Sequence, residues 1–416
     1  MFNSTYLSFT DRLDRVFKLE AQEGESIADT LLHHHIPLDS VIVRKNGQII
    51  NETEIEVGVN NDISIEMVRA YHLPDFLLDS GLWTEKDRFY PNKPSSIYHK
   101  RMLWFEENSE ISYSSERISK EEFSGFLEKI FCDCVNSKQL IQDGDTIGLA
   151  LSGGRDSLSL LYLLANNKEQ LPNFNLEGVT VCGLSKPKDL SIAREASSAL
   201  GIKHEFVQID EIKKHFKLKA EMQDALGVLL QKRGRAQTIN CVHAFMRVSV
   251  ERYFAERGIH KIAFGLHNED LLASLIRSLV NGIPFGESFY RKTWGSFELI
   301  YPLWGITKKE LTVYLNCIAP HKHSTQGSPT TYDRGGHNRD IQYFIADSLQ
   351  TLWPGFSYHV FEGYQKLMCN TAIDIEHCQC ANCQGVYLKT ENEDSNHNDD
   401  SLCYLCSLLT ELDQLE

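Results

Sequence analysis

The alternation of apolar and polar positions changes rhythm three times along the chain. Over residues 1 to about 70 the runs are short: a helix-like SIADTLLHHH, then VIVRKNGQII with the hairpin signal Asn46-Gly47, then a strand-like DISIEMV. Residues 71–112 keep neither period, mix Pro91 and Pro94 with aromatic residues, and read as a connector. An amphipathic helix over about 119–136 follows. From about 145 to 353, strand-like runs (TIGLAL, EGVTVCGL, HEFVQI, KIAFG, FELIYPL) alternate with helical segments near 157–167, 188–200, 236–257, 269–281 and 307–317. This alternation predicts an α/β fold built on a doubly wound parallel sheet, with ligands bound beyond the carboxyl ends of the strands. The final stretch, 369–416, is cysteine-rich, and its acidic ENEDSNHNDD reads as a loop between two cysteine pairs. The predicted division is 1–70, 71–112, 113–368 and 369–416.

Composition narrows the class. A length of 416 residues with 42% hydrophobic and 24% charged residues fits a globular protein of several domains. No apolar run approaches the roughly 20 residues that cross a bilayer, so no membrane partner is expected. The opening MFNSTYLSFTDRLDR lacks the pattern of a secretory leader, and eleven cysteines without one suggest a reducing, cytoplasmic setting. A net charge of −15 argues against a simple nucleic-acid binder. The basic residues are nevertheless grouped: Lys213, Lys214, Lys217 and Lys219; Lys232, Arg233 and Arg235; Arg291 and Lys292; Lys308 and Lys309. Such runs are usually solvated faces, with a basic face on an acidic protein as the alternative.

The chemistry concentrates in Ile147–Ser157, IGLALSGGRDS, an apolar strand that enters a glycine pair and then an apolar helix. The glycines permit a tight turn whose N–H groups face one concavity, and the helix beginning near Asp156 adds its positive end. Ser152, Gly153, Gly154, Arg155, Asp156 and Ser157 thus form a candidate phosphate cradle, against the plainer reading of an ordinary capped turn. A second constellation is Cys380-x2-Cys383 with Cys403-x2-Cys406, whose spacing matches a zinc ribbon. Four thiolates leave no open position, so the expected Zn²⁺ is structural, with an iron–sulfur cluster as the competitor. Cys378 is an alternative ligand or a free thiol.

The SGGRDS string resembles the signature of the PP-loop ATP pyrophosphatases, which implies ATP and Mg²⁺ as cofactors and attack at the α-phosphate. Together with the ending CANCQG…LCYLCSLLTEL, it is similar to the branch that thiolates tRNA to 2-thiouridine or 2-thiocytidine. The run HKIAFGLHNEDLLASLIRSLVNG resembles that family's second nucleotide motif. The match assigns Gly265 and His267 to nucleotide binding, and Asp270 to magnesium or to the adenylated base. FELIYPLWGITKKEL resembles the strand and helix that follow. The resemblance implies a PP-loop (HUP-like) core with tRNA as partner, a sulfur-donor or sulfur-carrier protein as a second, and a homodimer as a further association. The first residues, GESIADTLLHHHIPLDSVIVRKNGQII, resemble the β-grasp sulfur carriers. Those carriers work through a free terminal Gly-Gly, whereas Val68-Arg69-Ala70-Tyr71 has none, so docking or support is expected of this domain.

The chain also departs from the branch. Where relatives carry CxxC before the second motif, RAQTINCVHAFMR has Cys241 alone, and HKHSTQGSP has no later cysteine. An iron–sulfur cluster there needs three thiolates and is not expected. Cys241 is then a candidate nucleophile or persulfide carrier, or a small buried apolar residue. Three functions follow: tRNA adenylation with sulfur transfer, with Asp156, Cys241 and Asp270 in catalytic roles; adenylation with a non-sulfur nucleophile, as in lysidine or amide formation; and a nucleotide-binding scaffold without catalysis.

Overall fold

The computed structural model describes residues 5–10, 16–22, 24–34, 36, 41–46, 48–50, 57, 63–68, 99–105, 111–184, 187–282, 285–286, 288–319, 337–352, 355–370, 376–388 and 401–415. These divide into two compact units. The first takes in Met1–Lys129, Thr307–Pro320 and Gln342–Val360, and the second Ile130–Ile306, His321–Ile341 and Phe361–Glu416.

The first unit opens with β1 (Thr5–Thr10), β2 (Val16–Ala21), α1 (Ile27–His33), β3 (Val41–Lys45), β4 (Gln48–Ile49) and β5 (Ile63–Met67). They form a mixed five-stranded sheet ordered β2-β1-β5-β3-β4, in which β1 runs parallel to β5. Ile27, Ala28 and Leu31 of α1 are fully buried and share a core with Leu19, Val43 and Ile65, which is what the short alternating runs require. The helix, hairpin and last strand therefore follow the predicted order.

The stretch read as a connector carries structure in its described part. The strands β6 (His99–Phe105) and β7 (Ile111–Arg117) pair as an antiparallel hairpin across the expected boundary at 112. Cross-strand pairing supplies the order that a weak local period did not announce. The helix α2 (Lys120–Ser137) falls where the amphipathic pattern places it.

The second unit contains β8 (Asp145–Ala150), α3 (Arg155–Asn166), β9 (Phe174–Val181), α4 (Pro187–Ala199), β10 (Lys203–Val207), α5 (Ile209–Phe216), α6 (Met222–Ala255), β11 (Lys261–Ala263), α7 (Asn268–Asn281), β12 (Arg291–Trp294) and β13 (Phe297–Ile300). The chain continues through α8 (Lys308–Ile318) of the first unit, then α9 (His337–Leu352) and α10 (Phe356–Asn370). It ends with β14 (His377–Gln379), β15 (Val386–Leu388) and α11 (Tyr404–Glu411). Strand order in the six-stranded sheet is β10-β9-β8-β11-β13-β12, parallel throughout except for β12. The order reverses between β8 and β11, which makes the gap between them the topological switch point. No helix among the described residues is long and apolar enough to cross a membrane.

Several elements were silent in the pattern, among them α5, β12, α9 and α10. The eight-residue α5 is highly charged and buries only Ile212 and Phe216, too few positions for a period, but Gln208 and Glu211 close a capping box at its start. The charged edge strand β12 is held by its register with β13. The long helix also starts earlier than predicted and breaks at Gly234, whose φ of 76° and ψ of 177° are not helical. Near its far end Phe254 packs against Gly148 of β8, so close that a Cβ on Gly148 would stand 2.6 Å from the ring.

That contact yields a stability prediction. Gly148→Ala should cost roughly 1–3 kcal/mol through overpacking. Adding Phe254→Leu should recover part of the loss, read as a non-additive shift of the urea midpoints.

Candidate active site and cysteine centre

The cradle forms where β8 ends. Leu151 N–H donates to Val179 O at 2.9 Å, and the chain then turns through Gly153 at φ 76°. A side chain is excluded at Gly153 because its Cβ would meet Asp189 O, in the first turn of α4, at 1.9 Å. Gly154 is the N-cap of α3, and the first i→i−4 bond runs from Leu158 N–H to Gly154 O at 3.0 Å. The amides of residues 155–157 therefore precede the helix's own ladder, at its positive end. Ser152 and Ser157 brace the turn: their hydroxyls lie 3.0 Å apart, and Ser152 N–H donates to Ser157 Oγ at 3.2 Å. Arg155 is turned sideways, its Nε donating to Asp156 Oδ1 at 3.1 Å, so its charge is shared with a carboxylate.

The second motif meets this turn across the switch point. A Cβ on Gly265 would fall 3.0 Å from backbone atoms of Asp156 and Ser157, so any other residue would have to push the two segments slightly apart. The start of α7 is pinned by Asn268, whose N–H reaches Ile306 O and whose Nδ2 reaches Trp304 O, both at 3.0 Å. His267, the N-cap, is 2% exposed. Its Nδ1 lies 3.0 Å from Glu269 Oε2 and its Nε2 3.1 Å from Asp270 Oδ2. A ring flanked by carboxylates on both nitrogens is served best as an imidazolium. Burial opposes that charge, but Asp270, Glu269 and Asp156 outweigh it and raise the pKa above 6.5.

Ser152, Gly153, Gly154, Arg155, Asp156, Ser157, Gly265, His267 and Asp270 are thus drawn into one locality. Cys241 is not among the groups that these contacts tie together. It sits in α6, 1% exposed, and burial together with neighbouring Cys403 pushes its thiol up to about 12. The pattern also gave no hint of Asn268 or of the Asp189 backbone. Asn268 acts on loop carbonyls, and Asp189 acts through its main chain, where residue type leaves no trace.

Cys380, Cys383, Cys403 and Cys406 are buried with their sulfurs all within 4.8 Å of one another. Among the described residues no other group of three or more His, Cys, Asp or Glu is close enough to hold an ion. Asp156, Glu269 and Asp270 therefore do not form a ready cation cage. Cys378 lies on β14 outside the four. The backbone N–H of Cys403 donates to Cys380 Sγ at 3.3 Å, and Asn382 Nδ2 to Cys406 Sγ at 3.4 Å, contacts that favour thiolates. The centre is docked on α6: Arg247 Nη1 reaches Val386 O at 3.1 Å, and Gly385 has no room for a Cβ against Val248.

No protein-family model matches the chain. A tRNA(Ile)-lysidine synthase of Bacillus cereus is 28% identical over 198 residues, 46% of this chain and 38% of that protein. The chain thus spans well under half the length of the lysidine synthases that it matches. A probable sulfurtransferase of Methanocaldococcus jannaschii is 22% identical over 325 residues, 73% of this chain and 85% of the relative. A tRNA-cytidine(32) 2-sulfurtransferase of Cronobacter sakazakii is 26% identical over 178 residues, 42% of this chain and 53% of that protein. Among solved structures, the U34-tRNA thiolase NcsA of Methanococcus maripaludis, described with its [4Fe-4S] cluster, superposes with a TM-score of 0.51 at 19% identity. It covers 71% of this chain and 91% of that one, which shows a shared fold. The likeness to PP-loop ATP pyrophosphatases that modify tRNA is borne out by these relatives.

The paired carboxylates make stability depend on pH. His267 binds its proton more tightly folded than unfolded, so its contribution is complete below 6.5 and fades as pH rises through the raised folded value. The stability gap between the wild type and His267→Gln, from urea melts, should therefore narrow between pH 6 and pH 9.

Proposed function

We propose that the chain adenylates a carbonyl oxygen of a tRNA nucleobase at the expense of ATP, releasing pyrophosphate, and that a sulfur nucleophile then displaces AMP. The observation that carries this reading is the backbone contact of Gly265 with Asp156 and Ser157, which joins an anion cradle to an acidic, histidine-bearing helix start. In this reading the amides after Gly154 and the Ser152 and Ser157 hydroxyls hold the phosphates. The base oxygen attacks the α-phosphorus, the bond to the β-phosphate oxygen breaks, and the departing charge stays on the cradle. Mg²⁺ would enter with the nucleotide, since that ion commonly uses one or two carboxylates plus phosphate oxygens, here from Asp156 or Asp270. It would supply charge neutralisation for the leaving pyrophosphate.

Displacement forms a carbon–sulfur bond and breaks the carbon–oxygen bond to AMP. The burial of Cys241 favours delivery of sulfur from a donor or carrier protein over a relay through that thiol. It also favours, as a second reading, a non-sulfur nucleophile of the kind used by lysidine synthases. We read the N-terminal sheet as a β-grasp domain that docks such a partner.

The four-cysteine centre is read as a zinc ribbon. A tetrahedral ion with Zn–S bonds of about 2.3 Å places its sulfurs about 3.8 Å apart. Cys383 Sγ and Cys403 Sγ lie 3.7 Å apart, a single-ion spacing, whereas a cage of iron and sulfide spreads its thiolates further. The ion would be structural and take no part in the chemistry.

Incubation with ATP, tRNA and a sulfide source should release AMP in proportion to modified nucleoside, and no AMP above background would overturn the reading. Gly153→Ala, which collides with Asp189, should lower the rate at least about 100-fold, as loss of an oxyanion-type donor does. Cys241→Ser should stay within about twofold of wild type, and mass spectrometry of the nucleoside separates a sulfur product from an amine product. For the ribbon, elemental analysis should find one zinc per chain, lost together with several kcal/mol of stability in Cys380→Ser. Iron with acid-labile sulfide would overturn the zinc assignment.

A further inference from the structure

The basic groupings of the sequence have different fates in the fold. Arg291 is half-buried and already engaged, its Nη2 donating to the carbonyls of Lys138 and Gln139 at 2.8 and 2.6 Å and its Nη1 3.3 Å from Glu298 Oε1. Lys292 lies over the Trp294 ring at 4.4 Å, and Lys309 is 4% exposed. The remaining two groupings, 213–219 and 232–235, are separated in sequence but drawn together by the C-terminal segment. Lys219 pairs with Asp413, and its backbone N–H donates to Gln414 O at 3.0 Å. Leu218 bridges Leu415, while Arg233 pairs with Glu411. One short stretch of chain thus clamps the end of α5 to the first half of α6.

Around this clamp Lys214, Lys217 and Lys232 are exposed, and no carboxylate among the described residues pairs with them. Lys217 ends α5 in the left-handed region at φ 53°, which carries its backbone out of the helix line. The carboxylates of Glu411 and Asp413, 49% and 88% exposed, hold Arg233 and Lys219 at the surface and do not bury them. Five exposed cations therefore lie on or beside the two elements that this segment joins, in a protein whose net charge is −15.

We propose that this surface, made of Lys214, Lys217, Lys219, Lys232 and Arg233, binds the phosphate backbone of the tRNA. This inference rests on the proposed tRNA acceptor. Phosphates engage Lys214, Lys217 and Lys232 directly, and compete with Glu411 and Asp413 for Arg233 and Lys219. Backbone contacts of this kind position the RNA without reading sequence, and leave base selection to the catalytic site.

The test uses the full chain and bulk tRNA, with affinity measured over a sodium chloride series. Each phosphate contact contributes roughly 0.7–0.9 to the slope of log affinity against log salt. The triple variant Lys214→Gln, Lys217→Asn, Lys232→Gln should therefore lose about 2 from that slope, and roughly 10- to 100-fold in affinity near 0.1 M salt. Unchanged ATP affinity in the same preparation reports that it is folded. The double variant Glu411→Gln, Asp413→Asn should bind tRNA several-fold tighter. If the wild type binds tRNA but the triple variant keeps its slope, this surface is wrong and the proposed reaction stands. If the wild type binds ATP but no tRNA at any salt, the acceptor itself is wrong, and the surface falls with it.

Discussion

Everything proposed for this protein depends on two stretches of main chain touching across the switch point. Gly265 follows β11, Asp156 and Ser157 open α3, and a Cβ between them would stand only 3.0 Å from main-chain atoms. A parallel sheet brings the carboxyl ends of β8 and β11 side by side, but adjacency alone leaves room for ordinary loops. The absence of a side chain at Gly265 lets the helix starts of α3 and α7 converge, so that the anion-seeking end of one faces the carboxylates of the other. His267 makes that convergence tolerable. Without a positive ring between Glu269, Asp270 and Asp156, three acidic groups would crowd one locality uncompensated.

The architecture was legible to the degree that each element carried its own signal. The alternation of β8, β9, β10, β11 and β13 with helices could be read because each strand carries a short apolar run and α3 is largely buried. The SGGRDS turn could be read because glycine and serine there have few other uses. What escaped notice lacked a local signature. α5 has two buried residues, β12 is charged, and β6 and β7 depend on each other for order. The roles of Asn268 and Asp189 lie in main-chain geometry that only the assembled fold defines.

Charge is the property for which the bulk value misleads most. A total of −15 suggests a molecule repelled by nucleic acid, yet most of the clustered cations have separate fates that a sum conceals. Lys309 is buried and Arg291 is tied to main-chain carbonyls and Glu298, while lysines of α5 and α6 stay at the surface. Association with a polyanion responds to the local field within about a Debye length, roughly 8 Å at physiological salt, more than to the whole.

The break at Gly234 has a mechanical consequence. A continuous helix of this length would act as a lever, passing any tilt of its first turns straight to the strand that Phe254 supports. With one non-helical residue interposed, the two halves form a joint, and the cysteine-rich end of the chain touches both: Glu411 holds Arg233 before the joint, while Val386 and Gly385 rest on Arg247 and Val248 beyond it. The four-cysteine centre therefore acts as a splint, bracing the central rod on both sides of its break from some way off in sequence.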